Sequence, residues 1–143
     1  MTAVFANGGV YHTPRIVQAT RDESGVVTEN PADPGRRVVR ASTAQSLRNM
    51  LVYTAQHTAK FTSLQDCGGK TATAQTGVYQ NGRELLNAWY SGFFPAEEPA
   101  YVLTVLCENG NSGTEDCIPV FEKIAEKIVK LSENSCKCAN NTL

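Results

Sequence analysis

Apolar and polar positions change period along this chain, and the changes predict its elements. Residues 2–6 read as the end of a helix, stopped by Asn7-Gly8-Gly9, where glycine accepts the left-handed cap conformation. Residues 10–19 alternate loosely and read as extended, with Pro14 suited to an edge. Short strands are predicted over 26–28 and 37–40, joined by the turn Asn30-Pro31-Ala32-Asp33-Pro34-Gly35. Ala44, Leu47, Met50, Leu51 and Thr54 then recur at helical spacing, predicting a helix with Ser42 as N-cap that ends near His57. Residues 58–69 read as a loop.

Three strands are predicted next: 70–76, 87–94, and Tyr101–Cys107 with its buried-strand composition. Short connections, Asn81-Gly82 and residues 95–99, favour antiparallel neighbours, because parallel strands need long crossovers. A strongly amphipathic helix follows over 118–131. Ile118, Phe121, Ile124, Ala125, Ile128 and Val129 form its apolar face, with Glu122, Lys123, Glu126, Lys127 and Lys130 opposite. Asp116 is placed to cap it and Pro119 sits in its first turn. Residues 132–143 read as a loose polar tail. The order predicts an α+β fold, antiparallel strands packed in two layers against a C-terminal helix.

Composition narrows the function classes. Net charge is −1 over 143 residues, with acids and bases interleaved, which argues against nucleic acid or an anionic membrane as partner. No run of 18 apolar residues exists, and residues 1–10 lack the basic start of a signal peptide. The five cysteines, Cys67, Cys107, Cys117, Cys136 and Cys138, show no CxxC spacing, and His12 and His57 lie far from them, so no metal site is expected. Cys107 and Cys117 flank a loop and can pair in an oxidising compartment; unreactive buried thiols are the alternative.

Gly68-Gly69-Lys70-Thr71 suggests a phosphate-binding loop, but that motif needs a glycine where Leu64 stands, and the segment continues as a strand. As an edge strand, it offers unpaired backbone groups to an extended peptide. Lys70 adds a cation, and Thr71 and Thr73 add hydroxyls suited to a carboxylate. From spacing alone, an ordinary strand with one surface lysine remains open. Trp89 and Tyr90 read as core or groove wall.

The run Lys70-Thr71-Ala72-Thr73-Ala74-Gln75-Thr76-Gly77 resembles the third motif of penicillin-binding transpeptidases, Lys-Thr/Ser-Gly-Thr-Ala-Gln. Phe5-Ala6-Asn7-Gly8-Gly9-Val10 with Pro14-Arg15-Ile16-Val17 resembles the segment before that motif, and residues 88–96 the strand after it. The resemblance implies acyl transfer on D-Ala-D-Ala stem peptides of peptidoglycan, with β-lactams as substrate mimics and no cofactor. It implies that Lys70 sets a positive field and supports proton transfer, that Thr71 and Thr73 contact the substrate carboxylate, that the Thr73 N–H is an oxyanion donor, and that Gln75 continues the substrate strand. Ala72 departs from the family glycine, whose missing Cβ lets substrate approach the backbone. None of the eight serines has lysine three positions on, and Ser132-Glu133-Asn134 falls after the strand motif, out of family order. The expectation is therefore the C-terminal part of one transpeptidase domain, residues 1–143, inactive and marginally stable without an upstream part bearing Ser-x-x-Lys. In the intact protein that domain would stand on the extracytoplasmic face of a bacterial membrane, held there by a segment outside this chain. A D,D-carboxypeptidase or β-lactamase relative, a β-lactam sensor or peptidoglycan-binding module, and an unrelated peptide-binding α+β domain stay open as alternatives.

Overall fold

The computed structural model describes residues 1–139. Its elements run α1 (Thr2–Ala6), β1 (Val10–Tyr11), β2 (Ala19–Arg21), β3 (Val27–Glu29), β4 (Arg36–Arg37), α2 (Ala41–Thr58), β5 (Gly68–Gln80), β6 (Arg83–Phe94), β7 (Tyr101–Cys107), a π-turn (Gly113–Cys117) and α3 (Ile118–Ala139). The extended stretch predicted over 10–19 is strand only at its two ends. β1 pairs with β4 and β2 with β3, both antiparallel.

The site-bearing sheet has the order β5-β6-β7, antiparallel throughout. Its first hairpin turns on Asn81 and Gly82, both at positive φ (52° and 76°), the backbone that matches strand twist in a two-residue turn. β5 and β6 run several residues beyond the predicted strands, because Glu84 ties the hairpin together across a bulge. Its carboxylate accepts the Gly77 N–H (3.0 Å) and the Gln75 side-chain amide (3.1 Å).

Directly paired residues share a face of the sheet. Ala88, Tyr90 and Phe94 of β6 turn towards α3 and form a core with Cys117, Ile118, Phe121 and Ala125, joined by Ala55 of α2 and Ala59 just past its C-terminus. The aromatic rings meet edge-on: Tyr90–Phe121 at 4.7 Å and 75°, Phe94–Phe121 at 5.8 Å and 89°. On the opposite face, Thr2 of α1 hydrogen-bonds Ser91 (2.8 Å), and Ser91 bonds Thr104 on β7 (2.8 Å).

Three local expectations are corrected. The N-cap of α2 is Arg40, not Ser42. Its extended backbone carbonyl accepts the Ala44 N–H (2.9 Å), and Ser42 already lies in the first turn. Asp116 caps backwards: its carboxylate accepts the N–H groups of Asn111 (2.6 Å) and Ser112 (2.9 Å), while Ser112 caps the π-turn through Glu115. α3 continues to Ala139, so residues 132–139 of the expected tail are helical; no glycine or proline interrupts the helical bonds there. Residues 140–143 of the expected tail lie outside the described residues.

Candidate functional site

β5 has β6 on one side, and among the described residues nothing pairs with its other edge. That edge is where Lys70, Thr71, Ala72, Thr73 and Gln75 sit. They stand opposite Ser91, Tyr90, Trp89, Ala88 and Leu86 respectively. Thr71, Thr73 and Gln75 therefore share the α3 face with Tyr90, while Lys70 and Ala72 share the other with Ser91 and Trp89. Lys70, Ala72, Thr73 and Gln75 are exposed; Thr71 is half-buried.

The alternation would separate the lysine from the threonines, but the Lys70 side chain curls back along the strand. Its ammonium donates to the Thr71 carbonyl (2.8 Å) and stands 3.4 Å from the Thr71 hydroxyl. A cation and a hydroxyl thus lie together at an open strand edge, a pairing suited to a carboxylate. Gln75 is held through its amide by Glu84, away from the cation.

The two glycines before Lys70 are there for close packing. A Cβ on Gly68 would stand 2.4 Å from the Phe93 ring, and one on Gly69 2.4 Å from the Tyr90 hydroxyl. On the α3 face, Gly113 of the π-turn supports Thr71. A Cβ there would lie 2.3 Å from the Trp89 carbonyl and 3.0 Å from Thr71 Cβ.

The loop leading into β5 is pinned by a residue that the helical pattern assigned to the polar face. Glu122 is buried, at 8% exposure. Its carboxylate accepts the N–H groups of Thr62 (2.9 Å), Ser63 (2.6 Å) and Leu64 (2.9 Å) and the hydroxyls of Thr62 and Ser63. Burial pushes its carboxyl up, but these bonds outweigh burial and hold it down at about 2. Its spacing with Ile118, Ala125 and Val129 was the available signal, whereas Ile124, expected on the apolar face, is exposed. Cys67 is buried, and desolvation drives its thiol up to about 12, the state of an inert core cysteine. The cleft along α2, bordered by Gln45, Arg48, Tyr53 and Glu97, is lined by none of the β5 site residues.

A three-stranded antiparallel sheet backed by a C-terminal helix, with Lys70-Thr71 on its edge strand, is the α+β arrangement of the serine acyltransferase folds found in penicillin-binding transpeptidase domains. The penicillin-binding protein transpeptidase domain model matches residues 1–130, and the chain belongs to that family. Penicillin-binding protein PbpB of Mycobacterium tuberculosis is 32% identical over 87% of this chain, which spans 21% of that relative's length. Peptidoglycan D,D-transpeptidase PbpA of Mycolicibacterium smegmatis is 28% identical over 77% of this chain, which spans 23% of that relative. Among solved structures, a peptidoglycan synthetase from Bifidobacterium adolescentis superposes with a TM-score of 0.81 at 27% identity, covering 92% of this chain and 26% of that one. Penicillin binding protein 3 from Mycobacterium tuberculosis, complexed with aztreonam, does so with 0.74 at 29% identity, covering 91% and 33%. The chain thus spans about a quarter of the length of the curated relatives it matches.

Proposed function

We propose that this chain supplies the substrate-binding strand of a D-Ala-D-Ala transpeptidase domain that cross-links peptidoglycan on the extracytoplasmic side of a bacterial membrane. The observation that carries the reading is the open edge of β5 with the Lys70 ammonium at the Thr71 hydroxyl, inside a family match that spans residues 1–130. An extended stem peptide adds to that edge as a strand. The hydroxyls of Thr71 and Thr73 hold its terminal carboxylate in the positive field of Lys70, which also supports proton transfer at the reacting group; hydrogen bonds to the charged carboxylate are stronger than neutral ones. The Thr73 N–H serves as one oxyanion donor, and Gln75 extends the strand contact. The nucleophile is a serine with lysine three positions on, contributed by another part of the same domain. That serine attacks the penultimate D-Ala carbonyl, releases the last D-Ala and passes the acyl group to an amine of a neighbouring stem peptide. β-Lactams enter the same groove and stay on the serine.

The test is labelling with a fluorescent penicillin, on this chain alone and after co-expression with its upstream segment. Label on the upstream segment only when both are present supports the reading. A Lys70→Ala exchange should then slow labelling about 100-fold, the scale of losing one strong electrostatic contact to the reacting group. Label on this chain alone would place the nucleophile here and overturn the division of roles. No label in either sample would favour a non-catalytic peptidoglycan-binding relative.

A further inference from the structure

Cys107 ends β7 and Cys117 closes the π-turn before α3, with residues 108–116 between them. Cys107 stands opposite Ala88, so its side chain leaves the sheet on the face that carries Ala88 and Tyr90. There it packs against the core cluster that contains Cys117. The Cys117 thiol is fully buried and lies against the backbone of Cys107 and Tyr90. Both are free thiols in this structure.

The intervening loop is already closed without a covalent link. Asp116 holds Asn111 and Ser112, and Gly110 packs so closely on Ala88 and the Cys107 carbonyl that a Cβ would stand 2.8 and 3.1 Å from them. The same loop carries Gly113, the support beneath Thr71.

We propose that Cys107 and Cys117 form a disulfide that staples residues 108–116 beneath the substrate strand. It rests on the transpeptidase reading for its oxidising compartment, since a disulfide persists outside the reducing cytosol. The oxidant is a protein dithiol–disulfide oxidoreductase. Cys107, the half-buried partner, gives its proton to solvent, and its thiolate attacks one sulfur of the oxidant's disulfide. The oxidant's other sulfur leaves and takes up a proton. Cys117 then gives up its proton and attacks the Cys107 sulfur, forming the intramolecular bond and expelling the oxidant's second thiolate. The protein loses two electrons and two protons, and the oxidant gains both. Exposure sets the order: Cys117 is sealed in the core, and burial pushes its thiol up, so it resolves rather than initiates.

The measurement is disulfide mapping of the exported full-length protein. Free thiols are blocked with N-ethylmaleimide in denaturant, and the chain is cut by a glutamate-specific protease. Cleavage at Glu108 and Glu115 separates the two cysteines, so their peptides stay joined only through sulfur. The expected result is one linked species that reduction splits in two. In a Cys107→Ser variant, Cys117 should carry maleimide instead. Maleimide on both cysteines of the exported protein overturns the proposal, as does Cys107 linked to Cys136 or Cys138. Fluorescent-penicillin labelling of the same samples is scored separately. Absent label with the linked species present sinks the transpeptidase reading and leaves the staple standing.

Discussion

The Tyr90 phenol fills the space that a side chain on Gly69 would need: a Cβ there would lie 2.4 Å from the Tyr90 hydroxyl and 2.7 Å from the Ser91 carbonyl. One residue before the site lysine, the strand is bare because an aromatic ring from β6 passes beneath it. The ring in turn is fixed edge-on by Phe61 and Phe121 and has nowhere to go.

Gly69→Ala should therefore destabilise the protein by about 3 kcal/mol, the upper range for overpacking a closed core. Urea unfolding measures it. An unchanged midpoint would mean the ring moves aside.

Tyr90→Phe should do the opposite. The Tyr90 hydroxyl is buried with no hydrogen-bond partner among the described residues, and burial drives its phenol up. Removing an unsatisfied buried hydroxyl relieves its desolvation cost, so stability should rise by about 1 kcal/mol. A loss of stability in the same unfolding assay would reveal a partner for that oxygen.

Glu122 sets an acid limit. Its carboxyl lies at about 2 in the folded protein against 4.5 for the ordinary group. A lowered folded value contributes stability fully above about pH 4.5, and the contribution disappears as pH falls towards 2. The difference corresponds to about 3 kcal/mol. Melting temperature should fall steeply over that window, and Glu122→Gln should flatten the fall while lowering stability at neutral pH. An identical acid profile in the variant would assign the acid loss to another carboxylate, such as Asp33, which is also held at about 2 by Thr13 and Gly35.

Ala72→Gly tests the departure from the family strand. Ala72 is exposed on the open strand, so removing its methyl should not unsettle the core. In the intact domain, penicillin acylation should rise about tenfold, the effect of one methyl in a fitted groove. No change would mean that the groove has already adapted to alanine.

Much of this architecture was legible because it rests on local patterns. The three strands, their antiparallel order, the Asn81-Gly82 hairpin and both long helices follow from periodicity and turn chemistry. The Lys-Thr strand was legible through its flanking residues, since spacing alone does not distinguish it from an ordinary edge strand. What escaped depends on contacts between residues distant in sequence. Glu122 resembles any helix-surface glutamate until the 62–64 backbone is seen to turn its N–H groups towards it. Gly113 resembles a loop glycine until Thr71 is found against it. Ser42 was misplaced by two positions because a backbone carbonyl, which leaves no mark on residue type, starts the helix.

The succession of β5, β6 and β7 in both chain and sheet has a consequence for the order of folding. Each pairing closes only a short stretch of chain, so little entropy opposes it. The clasp between Glu122 and Thr62 spans sixty residues and closes only when α3 has docked. Lys70 thus gains its strand partner early and its firm lead-in late. Amide exchange would register this as protection at β6 before protection at Ser63 and Leu64.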